Sequence, residues 1–441
     1  MNKPEKRLPS SQSLTPAQKF VFDHRQFSQE FYQIFQTGDG PKIIKFAEEF
    51  AQTYPLSKNV VKQMYQQISD LGLFSLANEI ALIYLDTTKN LREFSRMQFG
   101  TPPIFSFETL TNNICDLVDQ AALTQFFVRS GILAQKPVFP LHQFKDFKFA
   151  LALVPYLNSC FEVVLDKDSC TVFEPSIETA PYDGLFYQSS KSSYGATGSF
   201  FYDEDIDLVQ KFIKPHPFKV EEVTSDVAIK FLKPYGFSQN QDFIVFQFLD
   251  NQFGDIEKYI TAIEYLLDQG LKVFRLGNKK ADLLLENAGF FDLTQVERPP
   301  EVDIFLCGEA KFYLGHDLGF YNLAHNFGTP CGIISGIDYG GIRPNNFVQH
   351  LQIFKPERDS PLSFSDIHNQ DLKGRLSARA LHNRQLVPKL YSSQQNVKFV
   401  KEILDNLEKG PIFKYNEEVK MEKKKYRFYG NIFSDNFSLL Q

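Results

Sequence analysis

The stretch Asp303–Ser335, DIFLCGEAKFYLGHDLGFYNLAHNFGTPCGIIS, constrains the fold more than any other part of the chain. Two short apolar runs, IFL and KFYLG, lead into the polar, glycine-containing loop GHDLG. Apolar residues then recur at Phe320, Leu323, Ala324 and Phe327, the spacing of one helix face, and Gly328 and Pro330 stop the pattern. A new apolar run, CGIIS, follows. Strand, glycine loop, helix, Gly-Pro stop and strand make one βαβ unit, and such a unit belongs to a parallel sheet. Open sheets of this class bind ligands at the carboxyl ends of their strands, where the GHDLG loop lies. Backbone N–H groups at the start of the following helix favour an anion such as a phosphate there.

The same alternation recurs on both sides of this unit. Before it, a helix over Asp226–Leu232 precedes the strand DFIVFQFLD, and a helix over Ile256–Leu267, capped by Gly270, precedes the strand LKVFRLG. Upstream, IFSFETL reads as a strand. TNNICDLVD enters a helix over Val118–Phe127, and the runs Phe147–Leu157 and FEVVLD complete a first α/β unit. Residues 31–98 read as helices. Ile43, Ile44, Ala47, Phe50 and Ala51 form one stripe broken by Pro55, and further stripes end near Gly72 and run from Leu76 to Leu85. Residues 1–30 read as a polar leader, and residues 176–204, rich in Ser, Gly, Tyr and Asp, as a surface or interdomain loop. The expected fold is α/β with two Rossmann-like parallel-sheet domains facing one another and an N-terminal helical extension. The boundaries are a leader and helical region at 1–98, a first domain at 99–220, a second at 221–368 and a charged helical tail at 369–441.

Bulk properties narrow the partners. A net charge of −6 over 441 residues argues against recruitment of nucleic acid by electrostatics. The basic start MNKPEKR has no apolar run behind it, so no signal peptide is expected, and no run approaches the ~20 apolar residues of a bilayer span. Five cysteines without a CxxC suit a reducing cytoplasm. The eight histidines lack HxxxH or HxH spacing, so neither a metal nor another cofactor is expected. The segment Lys420–Arg427, five basic residues beside Tyr426 and Phe428, offers a contact to an anionic membrane surface; the alternative is a solvated charge run.

Three clusters carry candidate chemistry. The first is Gly315, His316, Asp317 and Gly319 with Asn322 at the helix start, a set that leaves backbone N–H groups open to a phosphate and a sugar. The alternative is a βα turn with Asp317 as the helix N-cap. The second is Arg275, Gly277 and Asn278 closing the strand LKVFRLG. Arg275 there can meet a diphosphate bidentately, or bond a neighbouring carboxylate at the sheet. The third is Asp116 in NNICD, placed to deprotonate an acceptor hydroxyl or to cap the helix from Leu117.

On these residues the second half resembles a family of bacterial glycosyltransferases of the GT-B type. The resemblance runs from about Asp226 to Ile367 through AIKFLKPYGF, DIEKYITAIEYLLDQGLKVFRLGN, VDIFLCGEAKFYLGHDLGFYNLAHNFGTP and IFKPERDSPLSFSDI. GHDLGFYNLAHNFGTP is also similar to the donor-site segment of heptosyltransferases, where an Asp-Ser-Gly loop and its helix hold the nucleotide-sugar. NNICDLVD is similar to their Ile-Gly-Asp-Val opening, whose Asp matches Asp116. Arg275, Gly277, Gly315, Gly319 and Lys355 are retained. Gln247 and Leu249 stand where the family carries His-x-Arg, Phe253-Gly254 where it carries Arg-Asn, and Leu318 where it carries Ser. The resemblance implies a metal-independent transfer of a sugar from a nucleotide-sugar donor to a glycan, lipid-linked or protein acceptor, in the cytoplasm or at the inner membrane. It also leaves room for a sugar-nucleotide epimerase of the same fold, or for an inactive relative acting as a protein-binding module.

Overall fold

A computed structural model describes residues 29–53, scattered helical positions between 64 and 83, residue 118, and residues 138–140, 147–159, 162–164, 187–188, 193–195 and 198–200. It further describes residues 218–238, 241–248, 255–277, 285–316, 319–336, 346–363, 366, 378–409 and 432–433. Asp116, Asn278, Asp317, Leu318, residues 1–28 of the leader and the Lys420–Arg427 segment lie outside these residues.

The strand-forming runs of the second half are apolar almost without a break, as expected of strands covered on both faces. They form β6 (Phe243–Gln247), β7 (Lys272–Leu276), β8 (Phe290–Asp292), β9 (Phe312–Gly315), β10 (Cys331–Gly336) and β11 (Phe347–His350). With β14 (Ile432–Phe433) they make one seven-stranded sheet in the order β14-β11-β10-β9-β6-β7-β8. Every pairing in it is parallel. Counting β6 as the first strand, the six from β8 to β11 run 3-2-1-4-5-6, the doubly wound order. The chain reverses direction across the sheet between β6 and β9.

Helices cover both faces, and strand alternation divides the core between them. Phe243, Val245, Phe274, Tyr313, Ile333 and Val348 pack with α4 (Glu222–Leu232), α6 (Pro300–Glu309) and α7 (Phe320–Asn326). Ile244, Phe246, Val273, Phe312, Leu314 and Ile334 pack with α5 (Glu257–Asp268) and α9 (Ser393–Lys409). Phenylalanines pack against one another in the first of these cores. Phe237 lies edge-on to Phe243, Phe274 and Phe305 at 5.4, 5.9 and 5.9 Å between ring centroids, the geometry aromatic quadrupoles favour.

The elements expected over 226–335 stand within a few residues of their expected bounds, except that IFL lies inside α6. That helix is buried from Val302 to Cys307, and a helix buried all round shows no apolar periodicity in its sequence. Two segments differ from expectation. The stretch 176–204 carries a small antiparallel sheet of β3 (Tyr187–Gln188), β4 (Ser193–Gly195) and β5 (Gly198–Phe200). The stretch 369–441 carries α8 (Ala378–Asn383) and α9, but also β13 (Val387–Lys389), which pairs with β12 (Gln352–Phe354), and the edge strand β14. Through Phe399, Val400, Ile403 and Leu404, α9 belongs to the sheet's core.

Of the first α/β unit the structure describes the parallel pair β1 (Val138–Pro140) and β2 (Glu162–Val164), with α2 (Phe147–Ala152) and α3 (Val154–Leu157) between them. These two helices dock on the second sheet's helices. The Tyr156 ring meets Phe327 edge-on at 4.9 Å, and its hydroxyl accepts the Glu221 N–H at 3.1 Å. In the N-terminal region α1 (Gly40–Thr53) ends two residues before Pro55, and Ile43, Phe46, Ala47 and Phe50 of α1 join Phe31, Met64, Ile68 and Ile80 in a core of their own.

Candidate functional site

The strand order reverses between β6 and β9, and the crevice outside the carboxyl ends of the strands at such a point is where doubly wound sheets take ligands. Gly277, Gly315, His316 and Gly319 come together here, with Asn322 in the first turn of α7. At their centre is a residue that sequence reading singled out only as a departure from the family, Gln247, the last residue of β6.

Gln247 is 3% exposed and organises the glycine loop. Its Oε1 accepts the backbone N–H of Phe320 at 3.1 Å and lies 2.8 Å from the Tyr313 hydroxyl. That hydroxyl is also 2.9 Å from the carbonyl oxygen of His316, so one phenol spans the strand end and the loop. The glycines have their physical reason in the close packing around Gln247 and Tyr313. A Cβ on Gly315 would lie 2.5 Å from the Tyr313 hydroxyl and 2.6 Å from the Gln247 carbonyl oxygen. Gly319 adopts φ +65, and a Cβ there would lie 2.7 Å from Gln247 Nε2. Gly277 adopts φ +111, and a Cβ there would lie 3.7 Å from Gln247 Cγ and Nε2. The loop is glycine-rich because it wraps Gln247 closely, whatever else it binds. Gly315→Ala should therefore cost about 1–3 kcal/mol, read as a lower urea midpoint with an unchanged slope, since strand backbone cannot yield to the added methyl.

His316 is buried, its ring edge-on to Phe248 at 5.2 Å. The first turn of α7 is closed on itself: the Asn322 N–H donates to the Gly319 carbonyl at 3.1 Å, and Asn326 Nδ2 donates to the Asn322 carbonyl at 2.7 Å.

Arg275 is placed otherwise than a diphosphate contact requires. It is 1% exposed, and its Nη1 donates to Asp292 Oδ2 at 3.0 Å. The register of β7 and β8 sets Arg275 directly beside Asp292. The second reading of this arginine, a bond to a neighbouring carboxylate, describes its contact. Asp292 is held in turn by the N–H and hydroxyl of Thr294 at 2.9 and 2.6 Å. The pair joins β7 to the edge strand β8 and points away from Gln247, because side chains one residue apart along a sheet face opposite ways.

His325 packs its ring at 5.8 Å from Tyr321, whose hydroxyl accepts from Asn346 Nδ2 at 2.7 Å. Cys307 and Cys331 are buried free thiols. Among the described residues no group of three or more His, Cys, Asp or Glu gathers as a metal site would, and no helix is long and apolar enough to cross a membrane.

No family model and no curated protein matches this chain. A solved structure described as the glycosyl transferase family 9 protein of Veillonella parvula is similar to it at 10% identity and a TM-score of 0.37, over 66% of this chain and 94% of that one. So distant a likeness decides neither fold nor chemistry.

Proposed function

We propose that the protein is a glycosyltransferase of the GT-B type that binds a nucleotide-sugar at the crevice between β6, β7 and β9. One observation carries this reading: a 3-2-1-4-5-6 parallel sheet whose glycine loop lies at the point where the strand order reverses. In this reading Gly277, Asn278, Gly315, His316, Asp317, Gly319 and Asn322 hold the donor. Asp116 is the base that takes the proton of the acceptor hydroxyl as the sugar carbon is attacked. Backbone N–H groups, rather than a resident metal, stabilise the departing diphosphate. Arg275 is left out of the donor contacts, because its guanidinium is committed to Asp292. The acceptor is a glycan, a lipid-linked sugar or a protein, reached in the cytoplasm or at the inner membrane through Lys420–Arg427.

The test is a thermal-shift screen of UDP-, GDP-, ADP- and CMP-sugars, followed by product analysis with the donor that binds. A ligand at about 100 times its Kd should add about 2.7 kcal/mol of stability. Absence of any shift across the panel at millimolar concentration would sink the proposal.

Gln247 favours a second reading, a nucleotide-binding relative without turnover, because a neutral carboxamide stands at the centre of the crevice. Tight binding of a nucleotide-sugar that stays intact over days, with or without candidate acceptors, would select that reading over the first.

A further inference from the structure

From the geometry of the crevice we infer that Gln247 is its ligand-contacting residue, and that Nε2 donates a hydrogen bond to a phosphoryl oxygen of a nucleoside diphosphate. This rests on the reading of the crevice as a nucleotide-sugar site. The orientation of the carboxamide is decided by its partners. A backbone N–H can only donate, so the atom 3.1 Å from the Phe320 nitrogen is the oxygen, Oε1. The Tyr313 hydroxyl reaches the same oxygen at 2.8 Å. Flipping the amide would set two N–H donors against Phe320 and lose that bond.

Nε2 is therefore held on the other side, between Gly319 and Gly277. These are the residues whose added Cβ would meet it at 2.7 and 3.7 Å. Its two N–H donors have no acceptor among the described residues, although Gln247 is 3% exposed. A donor pair held in direction on a side chain that is 3% exposed, and bordered by two glycines, is a preorganised site for oxygen atoms. The carboxamide carries no charge and offers two N–H donors on one nitrogen, which suits an anionic oxygen approached through glycine backbone.

Gln247→Glu tests this directly. The carboxylate still accepts from Phe320 and Tyr313, but it turns the donor facing the crevice into a negative acceptor. Calorimetry would compare UDP, GDP and ADP with the matching nucleosides, and hydrogen exchange would follow the Phe320 amide. We expect diphosphate affinity to fall by at least about tenfold, with nucleoside affinity and Phe320 protection unchanged. Unchanged diphosphate affinity, or an equal loss for nucleosides and diphosphates, would overturn the assignment. Should the buried carboxylate prevent folding, Gln247→Met removes the donor without adding charge, and the same selective loss for diphosphates is required of it. If the wild-type protein binds none of the three diphosphates, the nucleotide-sugar reading fails and this assignment falls with it. If it binds them and both variants do so equally, only the assignment fails.

Discussion

Arg298→Ala is expected to lower stability by about 3–5 kcal/mol, the usual cost of leaving one partner of a buried ion pair alone. Arg298 meets Asp303 in a fork, Nε to Oδ1 at 2.6 Å and Nη2 to Oδ2 at 3.2 Å. Its remaining Nη1 donates to the carbonyls of Val296, at 3.0 Å, and of Leu293. The two side chains are 12% and 11% exposed. One guanidinium thus closes the turn after β8 and anchors it to the first turn of α6. Burial raises the Asp303 carboxyl above the ordinary carboxylate range, and Arg298 draws it back down. Without the arginine that restraint goes and Asp303 takes up a proton more readily. The deficit of the variant should therefore be greatest at neutral pH and shrink as the pH falls. Urea unfolding of both proteins at pH 7 and pH 5 measures this, and a deficit below about 1 kcal/mol at pH 7 would show the pair to be dispensable. A double variant, Arg298→Met with Asp303→Leu, should recover much of the loss, because paired apolar replacement avoids the unpaired charge.

The second large effect is acid lability centred on His350. This histidine ends β11, is fully buried, and has its pKa lowered by burial to about 3, the Gly336 carbonyl acting in the opposite sense. In the unfolded chain an imidazole titrates near 6.5. Between those values the unfolded chain binds a proton that the folded one refuses, so protonation favours unfolding. Stability is full above pH ~6.5 and falls by about 1.4 kcal/mol per pH unit towards pH ~3, about 4–5 kcal/mol in all. His325, lowered by burial to about 4, acts in the same direction but is only half-buried by surface area, so its share should be smaller. Carboxylates also contribute to acid unfolding, so the diagnostic quantity is a difference. His350→Gln should flatten the dependence of the urea free energy on pH between 6 and 4 by about 1.4 kcal/mol per unit. Parallel curves for wild type and variant would contradict it.

Legibility differed sharply between elements. β6, β7, β9, β10 and the helices α5 and α7 could be read because their determinants are local. Apolar runs about five residues long, glycines at helix ends and prolines at stops all act over one or two turns of chain. The IFL run was read as a short apolar run and not as part of a helix for a physical reason: α6 is covered by α4, α7 and α2, and a helix buried on every side loses the stripe that identifies it. The place of 393–409 in the core was not legible either. An amphipathic helix shows which face it buries, but not which partner covers that face.

The candidate site divides along the same line. That the GHDLG loop would stand at a strand's carboxyl end, beside the end of LKVFRLG, follows from the βαβ pattern alone. What these residues do there depends on pairings between distant positions. Arg275 meets Asp292 because β7 and β8 pair in one particular register. Gln247 meets Tyr313 and Phe320, 66 and 73 residues away, because β6 and β9 are neighbours at the reversal of strand order. In the sequence Gln247 is one polar residue closing an apolar strand, and the glycines are a phosphate loop in waiting. The chain by itself determined a parallel α/β domain with GHDLG at the carboxyl end of one of its strands, since backbone propensity and apolar period act locally. Only tertiary structure decided that Gln247 fills the space the glycines leave and that Arg275 is occupied elsewhere, because those contacts arise when strands remote in sequence are laid side by side.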